Sequence, residues 1–199
     1  MPTSLAAADQ QTLLHLARAA LMAAAEQRPT PLVEAAGLTP ALQAPGASFV
    51  TLTENGQLRG CIGGLVAERA LYADVQQHAA QAARHDPRFL PVTPAEVPGI
   101  AIEISVLTMP QPLTYTDAAD LVRQLRPHMD GVVLSQGRRR ATFLPQVWER
   151  APDPEQFLDL LCDKLGLRPS AWRRAHLEVD IYQVHSFAEP EPPTAPGPA

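Results

Sequence analysis

The chain has 199 residues, 46% of them hydrophobic, and a formal net charge of −5. A chain of this length can bury a core without disulfides or metals, hiding roughly 70% of its unfolded surface, and can form one domain or a domain with a small lobe. The acidic balance argues against a dedicated nucleic-acid binder, which carries a basic footprint. No apolar run approaches the ~20 residues of a membrane span.

Two cysteines, Cys61 and Cys162, form no CxxC pair and no zinc spacing. Lone thiols suit a reducing cytoplasm, although one disulfide stays open at this level. The N-terminal stretch carries Asp9 and no basic segment ahead of its apolar residues, so it does not read as a signal peptide. The expected location is cytoplasmic.

The spacing of Leu13, Ala17, Ala20, Leu21 and Ala24 predicts a helix over about residues 7–27, closed by Arg28-Pro29-Thr30-Pro31. His15 lies in it as a surface or core-edge histidine. After a loop over 32–47, Ser48 to Thr53 reads as a strand. Asn55-Gly56 supplies the positive φ angles of a type I′ turn, so a hairpin returns through Leu58 to Ile62.

A two-residue loop pairs Glu54 with Gln57. Continuing that ladder one-to-one places Leu52 opposite Arg59 and Val50 opposite Cys61. Arg59 and Cys61 then share a face with Val50 and Leu52. A cation there needs a carboxylate or an anionic ligand, because an unpaired buried charge is costly.

Gly63-Gly64 leads to a second helix over about 68–84, with Leu71, Val75, Ala79 and Ala82 as its stripe. A strand ending at a helix start favours anions, but the P-loop lysine and the dinucleotide glycine pattern are both missing. Asp86 before Pro87 can cap a turn, and Arg88 can pair with it. Ile100 to Val106 alternates, with Glu103 on the face of Ala101 and Ser105. Glu103 is either the partner of Arg59 or a solvated carboxylate.

Thr116 is the expected cap of a short helix over 117–125. Residues 131–134 and 138–143 read as strands about a Gln136-Gly137 turn. Asp153-Pro154-Glu155-Gln156 opens a helix with Phe157, Leu160, Leu161 and Leu165 as its stripe, ended by Gly166. Cys162 inside it reads as a buried structural thiol. Trp172 anchors the next segment, and Leu177 to Tyr182 is the last predicted strand.

Leu58-Arg59-Gly60-Cys61-Ile62-Gly63 is similar to the signature of the AMMECR-type domain family, in its bacterial AmmeMemoRadiSam branch. Asp86-Pro87-Arg88-Phe89, Ile102 to Thr108 and Ala141 to Val147 resemble further motifs of that family, in its order. Phe157-Leu158, Leu161-Cys162 and Trp172 fit as well. The resemblance covers residues 7–189 as one unit with a main and a small lobe. It leaves 190–199 as a disordered proline-rich tail. It implies an α+β fold, mainly antiparallel sheet flanked by helices. It also implies association with Memo-like and radical SAM proteins, and brings no settled activity.

Two functions are expected from these residues. In the first, a cleft handles an unknown small anionic substrate, with Cys61 as nucleophile or redox thiol, Arg59 lowering its pKa, and Glu103 orienting Arg59 or exchanging protons. Gly60, Gly63, Asp86 and Arg88 are candidate ligand-binding residues. In the second, the chain is a non-catalytic module for protein partners. A purely structural role for the hexapeptide, with Arg59 locked to Glu103, stands beside both. No cofactor, metal or membrane is expected. Nucleic acid is motivated only by Arg138 to Arg140 and Arg173-Arg174.

Overall fold

A computed structural model describes residues 5–190. The proline-rich tail expected from residue 190 lies, from 191 onward, outside the described residues. The fold is α+β, and the chain divides into two compact units. The first holds residues up to Leu107 together with those from His185, and the second holds Thr108–Val184. Among the described residues, no helix is long and apolar enough to cross a membrane.

The first unit opens with α1 (Ala7–Ala25). The predicted stripe of Leu13, Ala17, Ala20, Leu21 and Ala24 is buried in the core. The helix stops before the prolines. Gln27 turns to φ 58°, its N–H reaches the Ala24 carbonyl, and the Arg28 N–H reaches the Ala23 carbonyl. That pair of bonds satisfies the terminal carbonyls, with glutamine in the place glycine usually takes.

After the short α2 (Pro40–Gln43), β1 (Pro45–Glu54) and β2 (Gln57–Gly63) form the hairpin. Asn55 and Gly56 take φ 51° and 73°, as a type I′ turn requires. The two-residue β3 (Arg69–Ala70) pairs with Pro45 and Gly46. Helix α3 (Leu71–Arg84) therefore starts three residues later than predicted. It does not follow the glycine pair directly. β4 (Ile100–Leu107) and β9 (Val184–Ala188) complete a sheet in the order β2-β1-β4-β9.

Val50, Leu52, Ile100, Ile102 and Ile104 form one core cluster with the stripes of α1 and α3. Phe49, Thr51, Thr53, Glu103 and Ser105 occupy the opposite, outward face, since successive side chains alternate. β9 was not foreseen, and Glu189 just past it is tied to the sheet. Its N–H bonds the Ile102 carbonyl, and its carboxylate pairs with Arg18 of α1.

The second unit carries the short β5 (Gln111–Pro112), α4 (Ala118–Gln124), β6 (Gly131–Gln136), β7 (Arg139–Phe143), α5 (Pro154–Lys164) and β8 (Glu178–Tyr182). Its sheet order is β5-β8-β6-β7. Asp117, not Thr116, caps α4, accepting the Asp120 N–H. Asp153 caps α5 as predicted, and Gly166 takes φ 78° just beyond its end. In α5, Leu158 is buried while Leu160 faces solvent, so the stripe runs through Phe157, Leu158, Leu161 and Leu165. Trp148 stacks on Phe157 at 3.7 Å between ring centroids. The buried Trp172 donates to Asp159 at 2.6 Å. Cys162 is fully buried, and that burial pushes its thiol pKa up.

The hairpin register departs from one-to-one counting. Leu58 pairs with Thr53 and Gly60 pairs with Leu52, so Arg59 is an extra residue, a β-bulge. Cys61 therefore pairs with Thr51 and Ile62 with Val50. Cys61 faces outward, away from Val50 and Leu52. Gly60 faces α3, where a Cβ would overlap the Ala82 carbonyl oxygen. Because that oxygen belongs to helix backbone and cannot swing aside, Gly60→Ala should destabilise the fold by about 1–3 kcal/mol. Urea unfolding of the two proteins checks this, with an unchanged midpoint contradicting the bulge geometry.

Candidate functional site

The segment between α3 and β4 lies against the open edge of β2, and its side chains replace the missing neighbour strand. The Cys61 N–H donates to Asp86 Oδ2 at 2.8 Å. The Cys61 carbonyl accepts from Arg88 Nη2 at 3.3 Å. Both backbone groups of Cys61 therefore point away from β1, so Thr51 and Cys61 form a non-hydrogen-bonded pair. In such pairs side chains approach most closely. The Thr51 hydroxyl accordingly donates to Cys61 Sγ at 3.3 Å. Register, edge and thiol geometry are one consequence of the bulge.

Asp86 is buried and accepts from the backbone N–H of Arg88 at 3.1 Å and from Arg88 Nε and Nη2 at 2.9 and 2.7 Å. The guanidinium beside it holds the Asp86 carboxyl well below the usual carboxylate range, and the N–H groups of Cys61 and Arg88 add to this. The same pairing raises Arg88 above its ordinary value, with the Cys61 sulfur contributing in its anionic form. Arg88 is 53% exposed along its side chain. Its guanidinium lies over the Phe89 ring, 5.5 Å from the centroid.

Arg59 takes its bulge position toward the same segment. Its Nε donates to Glu96 Oε1 at 2.8 Å and its Nη1 to the Leu90 carbonyl at 2.9 Å. Glu96 also accepts from the Thr93 N–H and hydroxyl, both at 2.7 Å. Its pKa falls to about 2, through Arg59 first and Thr93 second. The expected Arg59–Glu103 pair does not form. Glu103 is exposed on the outward face, opposite Thr51 on the far side from Cys61. Two strand spacings separate the Glu103 and Cys61 backbones, about 10 Å.

The structure thus brings Cys61, Asp86 and Arg88 together and adds Thr51. It places Arg59 beside them with its charge already matched, and leaves Glu103 two strands away. Gly60 and Gly63 serve packing. A Cβ on Gly63 would overlap the Phe49 ring. Thr51 and Glu96 escaped sequence reasoning, since one-to-one counting puts Thr51 on the face opposite Cys61 and Glu96 lies in an aperiodic loop. Arg139 and Arg140 are paired as well, with the Gly166 carbonyl and Gln136 for the first and Asp180 for the second.

The pairings set an acid-side stability profile. Asp86 and Glu96 have depressed pKa values in the fold, so their contribution is full above the ordinary carboxylate range. It is lost as pH falls toward the folded-state values, for Glu96 between 4.5 and about 2. Arg59→Met should cost about 1–3 kcal/mol at neutral pH. It should also show a smaller further loss between about pH 5 and pH 3 than the parent. Denaturant midpoints across that range check the sign, and parallel pH profiles for the two proteins would rule out the Arg59–Glu96 coupling.

Comparison with known proteins adds the family. The AMMECR1 family model matches residues 14–187. A protein of Thermofilum pendens is 42% identical over 139 residues, 68% of this chain and 64% of that one, so the match spans slightly under two thirds of that relative. One from Methanothermobacter thermautotrophicus is 40% identical over 71% of this chain and 74% of its own length. Protein Mbar_A1807 of Methanosarcina barkeri is 36% identical over 84% and 82%. The crystal structure of the uncharacterized protein PH0010 from Pyrococcus horikoshii superposes with a TM-score of 0.79 at 29% identity, covering 93% of each chain. Together with the edge-clamped hairpin that carries the signature hexapeptide, these matches place the chain in the AMMECR1 family.

Proposed function

We propose that the outward face of the first unit's sheet is a thiol site that handles a small anionic substrate, with Cys61 as its nucleophile. One observation carries this reading: Cys61 is half-buried and its Sγ accepts a hydrogen bond from Thr51, while Asp86 and Arg88 fix its backbone. The donated bond fixes the direction of the sulfur, and the thiolate is the form of a cysteine that attacks. In the step proposed, the thiol proton passes to solvent. The sulfur pair then attacks an electrophilic carbon of the substrate, whose leaving group departs with its bonding electrons.

Arg88 is the anion-binding candidate. Asp86 engages its Nε and Nη2, and no described residue hydrogen-bonds its Nη1. Arg59 is a poorer candidate because Glu96 and the Leu90 carbonyl already hold it. The Glu103 carboxylate has no hydrogen-bond partner among the described residues. At about 10 Å from Cys61 it suits proton exchange with the far end of a bound substrate, not with the thiol. A redox couple within the chain is disfavoured because Cys162, the other thiol, is sealed in the core of its own unit. Association with Memo-like and radical SAM proteins, implied by the resemblance, is part of the proposal. A non-catalytic docking module is the competing reading, favoured by the exposed Leu90 and Leu58 flanking the Arg59 contacts.

Two outcomes follow. Iodoacetamide should alkylate Cys61 faster than a free model thiol at neutral pH and leave Cys162 untouched until denaturant is added. Thr51→Val should slow Cys61 by about threefold to tenfold. Mass spectrometry of tryptic peptides reads both, and a Cys61 no faster than the model thiol sinks the nucleophile. Millimolar carboxylates or phosphate should protect Cys61 in the parent and lose that protection in Arg88→Gln. Equal protection in both proteins removes Arg88 from the anion role.

A further inference from the structure

A second polar cluster lies on the helix-covered side of the same sheet. Ser48 of β1 and Asp74 and His78 of α3 are all buried. Asp74 Oδ2 accepts from the Ser48 N–H at 2.9 Å and from its hydroxyl at 2.7 Å. The same oxygen lies 3.1 Å from His78 Nδ1. Ser48 Oγ is 3.4 Å from that ring nitrogen. Arg69 Nη1 stands 3.9 Å from the other carboxylate oxygen.

These distances fix the imidazole. The Ser48 hydroxyl gives its one proton to Asp74, so in its contact with Nδ1 the ring nitrogen is the donor; with the proton on Nδ1, a neutral ring keeps its lone pair on Nε2. No described residue hydrogen-bonds Nε2. It borders Gly64, where a Cβ would stand 3.8 Å from Nε2 and 3.6 Å from Cε1. A side chain at 64 would pack against that ring edge, and glycine leaves the edge without one, in an imidazole that is 8% exposed. Anchoring α3 to β1 does not need the imidazole either, because Ser48 supplies two hydrogen bonds to Asp74 by itself.

We propose that His78 is a general base at a second site beside Gly64, serving a substrate that bears a hydroxyl or thiol, with Asp74 as its positioning residue. The substrate's O–H or S–H proton moves to Nε2, and the electron pair stays on the oxygen or sulfur. The imidazolium formed is held against the Asp74 carboxylate. Ser48 is not a nucleophile here, since its hydroxyl donates to Asp74. The nucleophile comes with the ligand. The site is independent of the Cys61 reading.

Two measurements on the folded chain test it. Long-range nitrogen NMR of the parent protein should show His78 as the Nδ1–H tautomer when neutral. Diethylpyrocarbonate should modify His78 within about tenfold of the rate at the exposed His15, and Asp74→Asn should slow His78 at least about threefold and change its tautomer. His78→Gln should keep the thermal midpoint within a few degrees, as a residue dispensable for anchoring does. An Nε2–H tautomer in the parent, or a His78 still unmodified once His15 has fully reacted, overturns the proposal.

Discussion

The bond from the Cys61 N–H to the Asp86 carboxylate is the interaction on which the rest of the thiol face depends. β2 is an edge strand, and edge strands leave a row of backbone groups unpaired. Here Asp86 and Arg88, two residues apart, supply an acceptor for the N–H and a donor for the carbonyl of one residue. A bare carboxylate buried at that edge would be costly. Arg88 removes the cost by binding it through two nitrogens, so the cation serves the backbone before it serves any ligand.

The geometry of the thiol follows from that clamp. With both backbone groups directed outward, the pair with Thr51 must be of the close, non-hydrogen-bonded kind, and the hydroxyl reaches the sulfur. The bulge at Arg59 sets which residue receives this treatment. Without the extra residue the ladder would turn Cys61 toward Val50 and the core, where a thiol is inert packing. Gly60 permits the bulge by letting β2 approach the Ala82 carbonyl. Three adjacent residues thus divide the work: one cation re-aimed into the neighbouring loop, one missing side chain, and one thiol turned outward.

The sequence carried the elements whose signals are local. Asn55-Gly56 placed the hairpin, the apolar spacings placed α1 and α3, and Asp153-Pro154 placed the start of α5. The face of Cys61 was misread because period-two counting assumes one partner per residue. The bulge depends on a helix carbonyl that local sequence does not reveal. Of the two readings of Glu103, the solvated carboxylate is the one found, and the true partner of Arg59 was out of reach for a related reason. Glu103 stood out on an alternating strand, whereas Glu96 lies in a loop without period. The Asp86–Arg88 pairing was legible as an option, but its target, the Cys61 backbone, was not. Asp74 and His78 were within reach, since a carboxylate and a histidine four apart share a helix face. They lie beside the apolar stripe that marks α3, and polar residues carry no part of that periodic signal. β9 went unread because Val184 to Ala188 is short and runs into prolines.

Amide hydrogen exchange at Cys61 is the direct probe of this clamp. The N–H of an outward-pointing edge residue should exchange quickly unless a side chain holds it. With the clamp in place, the Cys61 amide is protected in the parent protein and loses at least about tenfold of that protection in Asp86→Ala. The interior amides of β1 should keep theirs. A Cys61 amide that exchanges at the free-chain rate in the parent, or one indifferent to Asp86→Ala, would contradict the clamp and the thiol geometry built on it.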